Sequence, residues 1–203
     1  MWTIARAFAP GRLQIAADDV SRVDASSVAL AGLSMGEFQA IDVAATRAHL
    51  DRVTAASTDR FAAARADVQA RGEDAFGHLL LLHLAETVEV TWIGSVGAWL
   101  LVAGVPVSVA RRHSLREQGG PATPDVPTRG LGGSNADPES ATWPPQPGAR
   151  VVCASWTIAR LSNDLVARLA TGETPERAAQ RLVDTAIRRE PQWPAVAIVA
   201  DRQ

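Results

Sequence analysis

Apolar residues along this chain follow two different periods. Residues 2–8 and 12–17, on either side of the Pro10-Gly11 turn, are predicted as short strands, and 28–33 reads as a buried strand. From Gly36 the interval lengthens: Phe38, Ile41, Ala45, Ala48 and Val53 recur at helical spacing, predicting a helix to about residue 56. A second helix is expected over 61–71, stopped by Gly72, followed by strands over 79–84, 88–93, 98–102 and 105–110. Between 111 and 150, Gly, Pro, Ser and Asn replace the periodic pattern, and so long a connection is expected to be an ordered excursion with a flexible part. A strand resumes over 151–154 and a helix over 163–169. Thr174 is placed to cap the last helix with Pro175 in its first position, and Ala178, Leu182, Val183, Ala186 and Ile187 form its apolar stripe before a closing strand over 195–200. Runs of strands interrupted by paired helices predict a layered α+β architecture rather than strict βαβ alternation. One domain over 1–203 is expected, with the Gly/Pro-rich excursion at about 112–149.

Composition narrows the chemistry. Hydrophobic residues at 47% and charged residues at 21% are the balance of a globular protein. A formal charge of -2 gives no bulk electrostatic reason for nucleic acid or an anionic membrane as partner. All 20 basic residues are arginine, which excludes a phosphate-loop lysine, a Schiff-base lysine and a serine–lysine dyad. The single cysteine, Cys153, lies in an apolar run and can form neither an internal disulfide nor a cysteine-rich metal site. With no signal-like leader and no apolar run near the roughly 20 residues that span a bilayer, the expected location is cytoplasmic.

Six segments in order carry a family resemblance. The predicted strand ends in Gly32-Leu33-Ser34-Met35-Gly36-Glu37 and the helix continues through Ala40-Ile41-Asp42 to Ala44-Ala45. Gly94-Ser95-Val96-Gly97 is followed by Ala98, Trp99 and Leu100; then come Arg112-His113-Ser114 and Thr128-Arg129-Gly130-Leu131-Gly132. Pro147-Gly148 precedes Val151-Val152-Cys153-Ala154-Ser155-Trp156-Thr157, and Gln192-Trp193 stands before the last strand. In order and spacing this resembles the type 2C (metal-dependent, PPM-type) protein serine/threonine phosphatases, whose motifs read Asp-Gly-Met-Gly-Gly, Gly-Asp-Ser-Arg, Asp-His-Ser, Thr-Arg-Ala-Leu-Gly, Cys-Ser-Asp-Gly-Leu and a closing Asp-Asn. The resemblance implies a four-layer α-β-β-α sandwich with two central, mostly antiparallel sheets. It also places Leu33, Ser95, Ser155 and Gln192 where the family carries metal aspartates. Asp18 and Asp19 match a nearby acidic pair, while the phosphate-binding arginine falls near Gln14, with Arg12 loosely placed.

The departures decide the expected chemistry. The family resembles two-metal hydrolases, in which paired ions position and deprotonate the attacking water. Magnesium and manganese need hard, largely anionic oxygen ligands, which Leu, Ser and Gln do not supply. The implied reading is a noncatalytic pseudophosphatase with no metal, no cofactor and no catalytic residue. It would bind a protein by family analogy: a kinase, a phosphoprotein or a component of an assembly. Carboxylates crowded without cations are costly to bury, so the same replacements stabilise a metal-free fold. Trp156 and Trp193 are expected to fill the vacated volume ahead of forming, with Ser34, a new pocket; Trp92 and Trp99 are expected in the core.

Two enzymatic alternatives stay open. Gly32-Leu33-Ser34-Met35-Gly36 fits the nucleophile elbow of a serine acyl hydrolase or acyltransferase, although too little chain precedes Ser34 for the earlier strands and oxyanion loop of an α/β-hydrolase. The other is weak residual metal-dependent phosphatase activity. His78 and His83 fall on opposite faces of one strand and cannot share a metal. His113 is expected in a hydrogen-bonded structural role rather than as a base for Ser34, His49 on a solvated helix face, and Arg111-Arg112 and Arg188-Arg189 in solvent.

Overall fold

A computed structural model describes residues 1–10, 19–22, 26–35, 43–56, 59–73, 75–133, 137–144 and 146–203, with the side chains of 19–22, 34, 35 and 43 outside that description. The strand expected over 12–17 and the opening of the helix expected from Gly36 lie outside the described residues. The chain order is β1 (Trp2–Ala9), β2 (Asp19–Arg22), β3 (Ser27–Met35), α1 (Val43–Ala55), α2 (Arg60–Gln69), β4 (Ala75–Leu84), β5 (Val88–Ile93), β6 (Gly97–Val102) and β7 (Val105–Ala110). It continues through α3 (Leu115–Gly119), β8 (Glu139–Trp143), β9 (Arg150–Ala154), α4 (Trp156–Ala159), α5 (Asn163–Ala170), α6 (Pro175–Arg189) and β10 (Ala195–Arg202).

The strands form two sheets of five, in the orders β1-β10-β9-β6-β7 and β2-β3-β4-β5-β8. Every ladder between these strands is antiparallel. Alternation assigns the two faces of each strand. Leu80, Leu82 and Leu84 of β4 point between the sheets with Val28, Leu30, Val90 and Trp92, and meet Val151, Cys153, Val196 and Ile198 of the opposite sheet. Leu79 and the partly buried Leu81 point the other way, toward Leu50 and Val53 of α1 and Phe61, Ala64 and Val68 of α2. The unbroken leucine run over 79–82 follows from this, because a strand covered on both faces has no polar side. The same holds for β10, whose Ala197 and Val199 join Leu182, Val183 and Ala186 of α6 on the outer side. The result is the expected four-layer α-β-β-α sandwich.

Local signals explain the helix ends. The Thr174 hydroxyl accepts from the Arg177 N–H at 3.4 Å with Pro175 in the first turn of α6, and Ser162 and Asp59 cap α5 and α2 in the same way. The stripe on α6 is Ala178, Ala179, Leu182, Val183 and Ala186, with Ile187 partly buried beside it. The region expected as an excursion holds two elements the pattern does not announce, α3 and β8. β8 adds the fifth strand to its sheet by pairing Glu139 with Trp92 and Trp143 with Val88. It also returns through Leu131, whose backbone exchanges two hydrogen bonds with Gly77, at 3.0 and 2.8 Å. Ring packing of Phe76 leaves only glycine at 130, where a Cβ would stand 2.1 Å from Phe76 Cζ.

Leu80 is fully buried between the sheets and Val107 is 53% exposed on the edge strand β7. Leu80→Ala is expected to cost about 2–5 kcal/mol and Val107→Ala less than about 0.5 kcal/mol, read from urea denaturation midpoints at constant slope.

Candidate functional site

The ladder registers bring the four positions singled out in the sequence to one end of the sandwich. Leu33 pairs with Gly77 near the end of β3, and Gly32 pairs with His78. Ile93 pairs with Leu79, so β5 ends over the same region and turns through Gly94-Ser95-Val96 into β6. Gly97 and Ala197 both pair with Ala154, which places Ser155 beside the entry to β10, three residues after Gln192 at Ala195.

The turn carrying Ser95 is clamped. Gly94 has φ +86°, and a Cβ there would lie 2.6 Å from His78 Cβ, so only glycine fits. Its N–H donates to His113 Nδ1 at 3.0 Å, and its carbonyl accepts from the His113 N–H at 3.1 Å. The His113 ring stacks on Trp92 at 6.3 Å, and the Trp92 indole N–H donates to the Arg111 carbonyl at 3.1 Å. His113 Nε2 lies 3.3 Å from Glu139 Oε1, whose carboxylate also binds Arg129. Nδ1 therefore accepts and the proton of the neutral ring sits on Nε2, which faces the Glu139 carboxylate without hydrogen-bond geometry to any described residue. The expected structural role of His113 holds.

The side chains at the four positions are all neutral. Leu33 is 2% exposed and packs toward Val68: a Cβ on Gly77 would meet Leu33 Cδ2 at 3.1 Å and Val68 Cγ2 at 3.2 Å. The Ser155 hydroxyl is fully buried and accepts the Val196 N–H at 3.0 Å, while the Ser155 N–H donates to the Val196 carbonyl at 3.0 Å. Ser95 is buried, with its hydroxyl oxygen lacking a hydrogen-bond partner. Gln192 is half-buried in the loop before β10. Among the described residues no three or more His, Cys, Asp or Glu side chains gather in a way that could hold a metal. Neutral hydroxyls, one amide and one alkyl group do not match the hard anionic donor set that magnesium or manganese requires. Asp18 and the side chains of Asp19 and Ser34 lie outside the described residues.

Trp156 and Trp193 meet edge to face, with ring centroids 5.4 Å apart. The Arg160 guanidinium covers Trp156 at 4.7 Å from the ring centroid. Arg160 continues into an ion-pair chain that sequence reasoning missed: its Nε stands 3.0 Å from Asp125 Oδ2 and its Nη1 bonds Glu190 at 2.7 Å. Asp125 receives Arg112 Nη1 on both oxygens, at 2.8 and 2.6 Å, and Arg112 Nη2 reaches Glu117 at 2.8 Å. The expectation of a solvated Arg112 is thus corrected, since its side chain is 6% exposed. Only the tandem arginines pointed to it; the partner Asp125 is separated by loop sequence without periodicity. The expectation for His49 is corrected too. It is fully buried between α1 and α2, and Nδ1 lies 2.7 Å from Asp67 Oδ2, a carboxylate shared with Arg52 and Arg71. His78 and His83 do take opposite faces of β4, and Trp92 and Trp99 are core residues.

No family model and no curated protein matches this sequence. Solved structures do match in fold. The catalytic domain of the serine/threonine phosphatase PstP in complex with two manganese ions aligns with a TM-score of 0.78 at 20% identity, covering 98% of this chain and 97% of that one. The S. agalactiae serine/threonine phosphatase aligns at 0.80 and 14% identity over 100% of both chains. PppA, a regulatory component of the type VI secretion system in Pseudomonas aeruginosa, aligns at 0.76 and 16% identity, covering 98% and 96%. The chain has the fold of the PPM-type serine/threonine phosphatases. Among the described residues no helix is long and apolar enough to cross a membrane.

Burial lowers the pKa of both His49 and His113; for His49 it outweighs the Asp67 hydrogen bond, and for His113 it outweighs the Glu139 charge. Burial alone would raise the Asp67 carboxyl, but hydrogen bonds from Arg52, His49 and Arg71 together bring it down to about 2. A histidine that binds its proton less readily when folded leaves stability intact above the ordinary value of about 6.5, and stability falls as pH drops below that. Asp67 acts lower, its contribution being present above 3.8 and lost as pH falls through about 2. The urea midpoint is expected to be lower at about pH 5.5 than at about pH 7.5, with part of that difference removed in His113→Gln.

Proposed function

We propose that this protein is a noncatalytic pseudophosphatase: a protein-binding or regulatory module on a PPM scaffold, tied to serine/threonine phosphorylation signalling. One observation carries the reading. At the end of the sandwich where the resemblance places metal aspartates, Leu33 is core packing and the Ser155 hydroxyl is engaged by the β10 backbone. A two-metal mechanism needs carboxylates to hold the ions and lower the pKa of the attacking water. None of these side chains can take that part. The regulatory role described for PppA in its secretion system supports a protein-recognition use of this fold. A protein partner, whether a kinase, its phosphorylated target or an assembly component, belongs to the same proposal, as does a cytoplasmic location.

The acyl-transfer reading of Ser34 loses its structural setting. A nucleophile elbow needs a strand-to-helix turn at the top of an α/β-hydrolase sheet, and β3 is an antiparallel strand that continues through Ser34 to Met35.

Hydrolysis of an aryl phosphate in manganese is expected to match a no-protein control, and calorimetric titration to show no magnesium or manganese site tighter than about 1 mM. Rates above the control that vanish with chelator overturn the proposal. Leu33→Asp, which returns the family's carboxylate, is expected to destabilise the fold by about 3–5 kcal/mol as an uncompensated buried charge, without creating manganese affinity. Recovery of stability on adding manganese would count against the reading.

A further inference from the structure

Adjoining the end of the sandwich discussed above, and sharing Gly97, Arg112 and Arg160 with it, a cleft of about 290 Å³ lies where β6 and β7 meet α3 and the α4–α5 connection. Its rim carries Arg111, Arg112, Arg160, Ser108, Ser162 and Asn163, with Trp99 and Ala110 among the apolar residues of the lining. The volume sits at the lower limit of small-molecule sites, about 300–1,000 Å³, and suits a compact polar group.

Arg111, Arg112 and Arg160 line this cleft with one carboxylate, Glu117, while Asp125 and Glu190 outside the lining pair two of these arginines, so that Arg111 is the cation left unpaired among the described residues. Two of the three are held in place by these carboxylates. Arg112 is fixed on Asp125 and Glu117, and Arg160 on Asp125, Glu190 and the face of Trp156. These contacts lock long side chains that would otherwise lose rotamer freedom on binding. Arg112 is more than nine-tenths buried, yet its Nε has no hydrogen-bond partner among the described residues. A donor in that state is costly unless something satisfies it. Arg111 is exposed, and its side chain forms no hydrogen bond or ion pair with a described residue. The Asn163 carbonyl oxygen accepts from the Trp99 indole N–H at 2.8 Å, which orients the amide and leaves its NH₂ as a donor. Asn163 also opens α5, whose N-terminal dipole favours negative charge.

The open guanidinium fork of Arg111, the N–H donors that Arg112 and Arg160 have left after their carboxylates, an amide NH₂ and a helix N-terminus are complementary to a tetrahedral oxyanion. We propose that this cleft binds a phosphate monoester dianion or free phosphate through Arg111, Arg112, Arg160 and Asn163. The inference goes beyond the noncatalytic reading and is independent of it, because none of these side chains is asked to hydrolyse anything. Manganese-dependent hydrolysis would overturn that reading and leave the cleft standing.

Full-length protein is titrated, by nitrogen-15 NMR at low salt, with inorganic phosphate, with a short phosphoserine peptide and with the same peptide unphosphorylated. Phosphate-bearing probes are expected to bind near about 1 mM and to shift the backbone signals of Arg111, Arg112 and Asn163. The unphosphorylated peptide is expected to be at least about tenfold weaker. Arg111→Gln, at an exposed position, should weaken binding without moving the thermal midpoint, and Asn163→Asp, which keeps the oxygen that accepts from Trp99 but replaces the NH₂ donor by a carboxylate oxygen, should weaken it further. Tighter binding of the phosphopeptide than of phosphate supports a phosphorylated side chain as occupant, and binding of phosphate alone supports the free ion. Failure of both phosphate probes to bind, or binding that neither substitution alters, overturns the proposal.

Discussion

Between the two sheets, Leu80, Leu82 and Trp92 on one side and Val151, Cys153 and Ile198 on the other make the apolar contact on which the remaining layers rest. Neither sheet could be covered by helices on its outer face and stay dry on its inner face without that partner. Each buried strand must therefore be apolar in both directions, and β4 and β10 show the consequence in sequence. Cys153 belongs to this layer as a small hydrophobe. Full burial pushes its thiol far above the ordinary range, which removes it from redox or nucleophilic chemistry at neutral pH.

This constraint explains what could be read beforehand. Strands with two buried faces advertise themselves as apolar runs, and capped helices such as α6 carry Thr174, Pro175 and the stripe through Ala186 in plain view. β8 has no such signature. It is an edge strand of Glu-Ser-Ala-Thr-Trp in which only Ala141 and Trp143 turn partly inward, so its pairing with β5 depends on tertiary context. α3 is a single turn after Ser114 with no buried residue, and α4 is a single turn after Ser155. Such pieces are set by the contacts around them, below the length at which periodicity can register.

The site was legible to a different degree. Order and spacing singled out Leu33, Ser95, Ser155 and Gln192, and the strand registers set each of them at or next to a strand end. What each replacement does there was not legible. Ser155 holds the Val196 backbone near the start of β10 through both its hydroxyl and its N–H, and Leu33 is an extension of the α1–α2 core. His49 and Arg112 were misjudged for a common reason. A charged or titratable side chain reads as solvated unless its partner is visible at helical or strand spacing, and Asp67 and Asp125 reach theirs across separate segments.

The ion-pair chain through Arg112 adds an electrostatic argument of its own. In the resemblance, Arg112 stands where the family motif Asp-His-Ser begins, so a negative charge has been exchanged for a positive one immediately before the His113 clamp. That cation is answered by Asp125 and Glu117, and Asp125 is answered in turn by Arg160. A buried guanidinium with its carboxylates already paired is neutralised from within the protein. Removing one member would strand its partner in a poorly solvated place, a cost larger than the net worth of the pair. The network therefore ties the segment after β7 to α4 and the end of α6, and no single member can be changed without leaving a neighbour uncompensated.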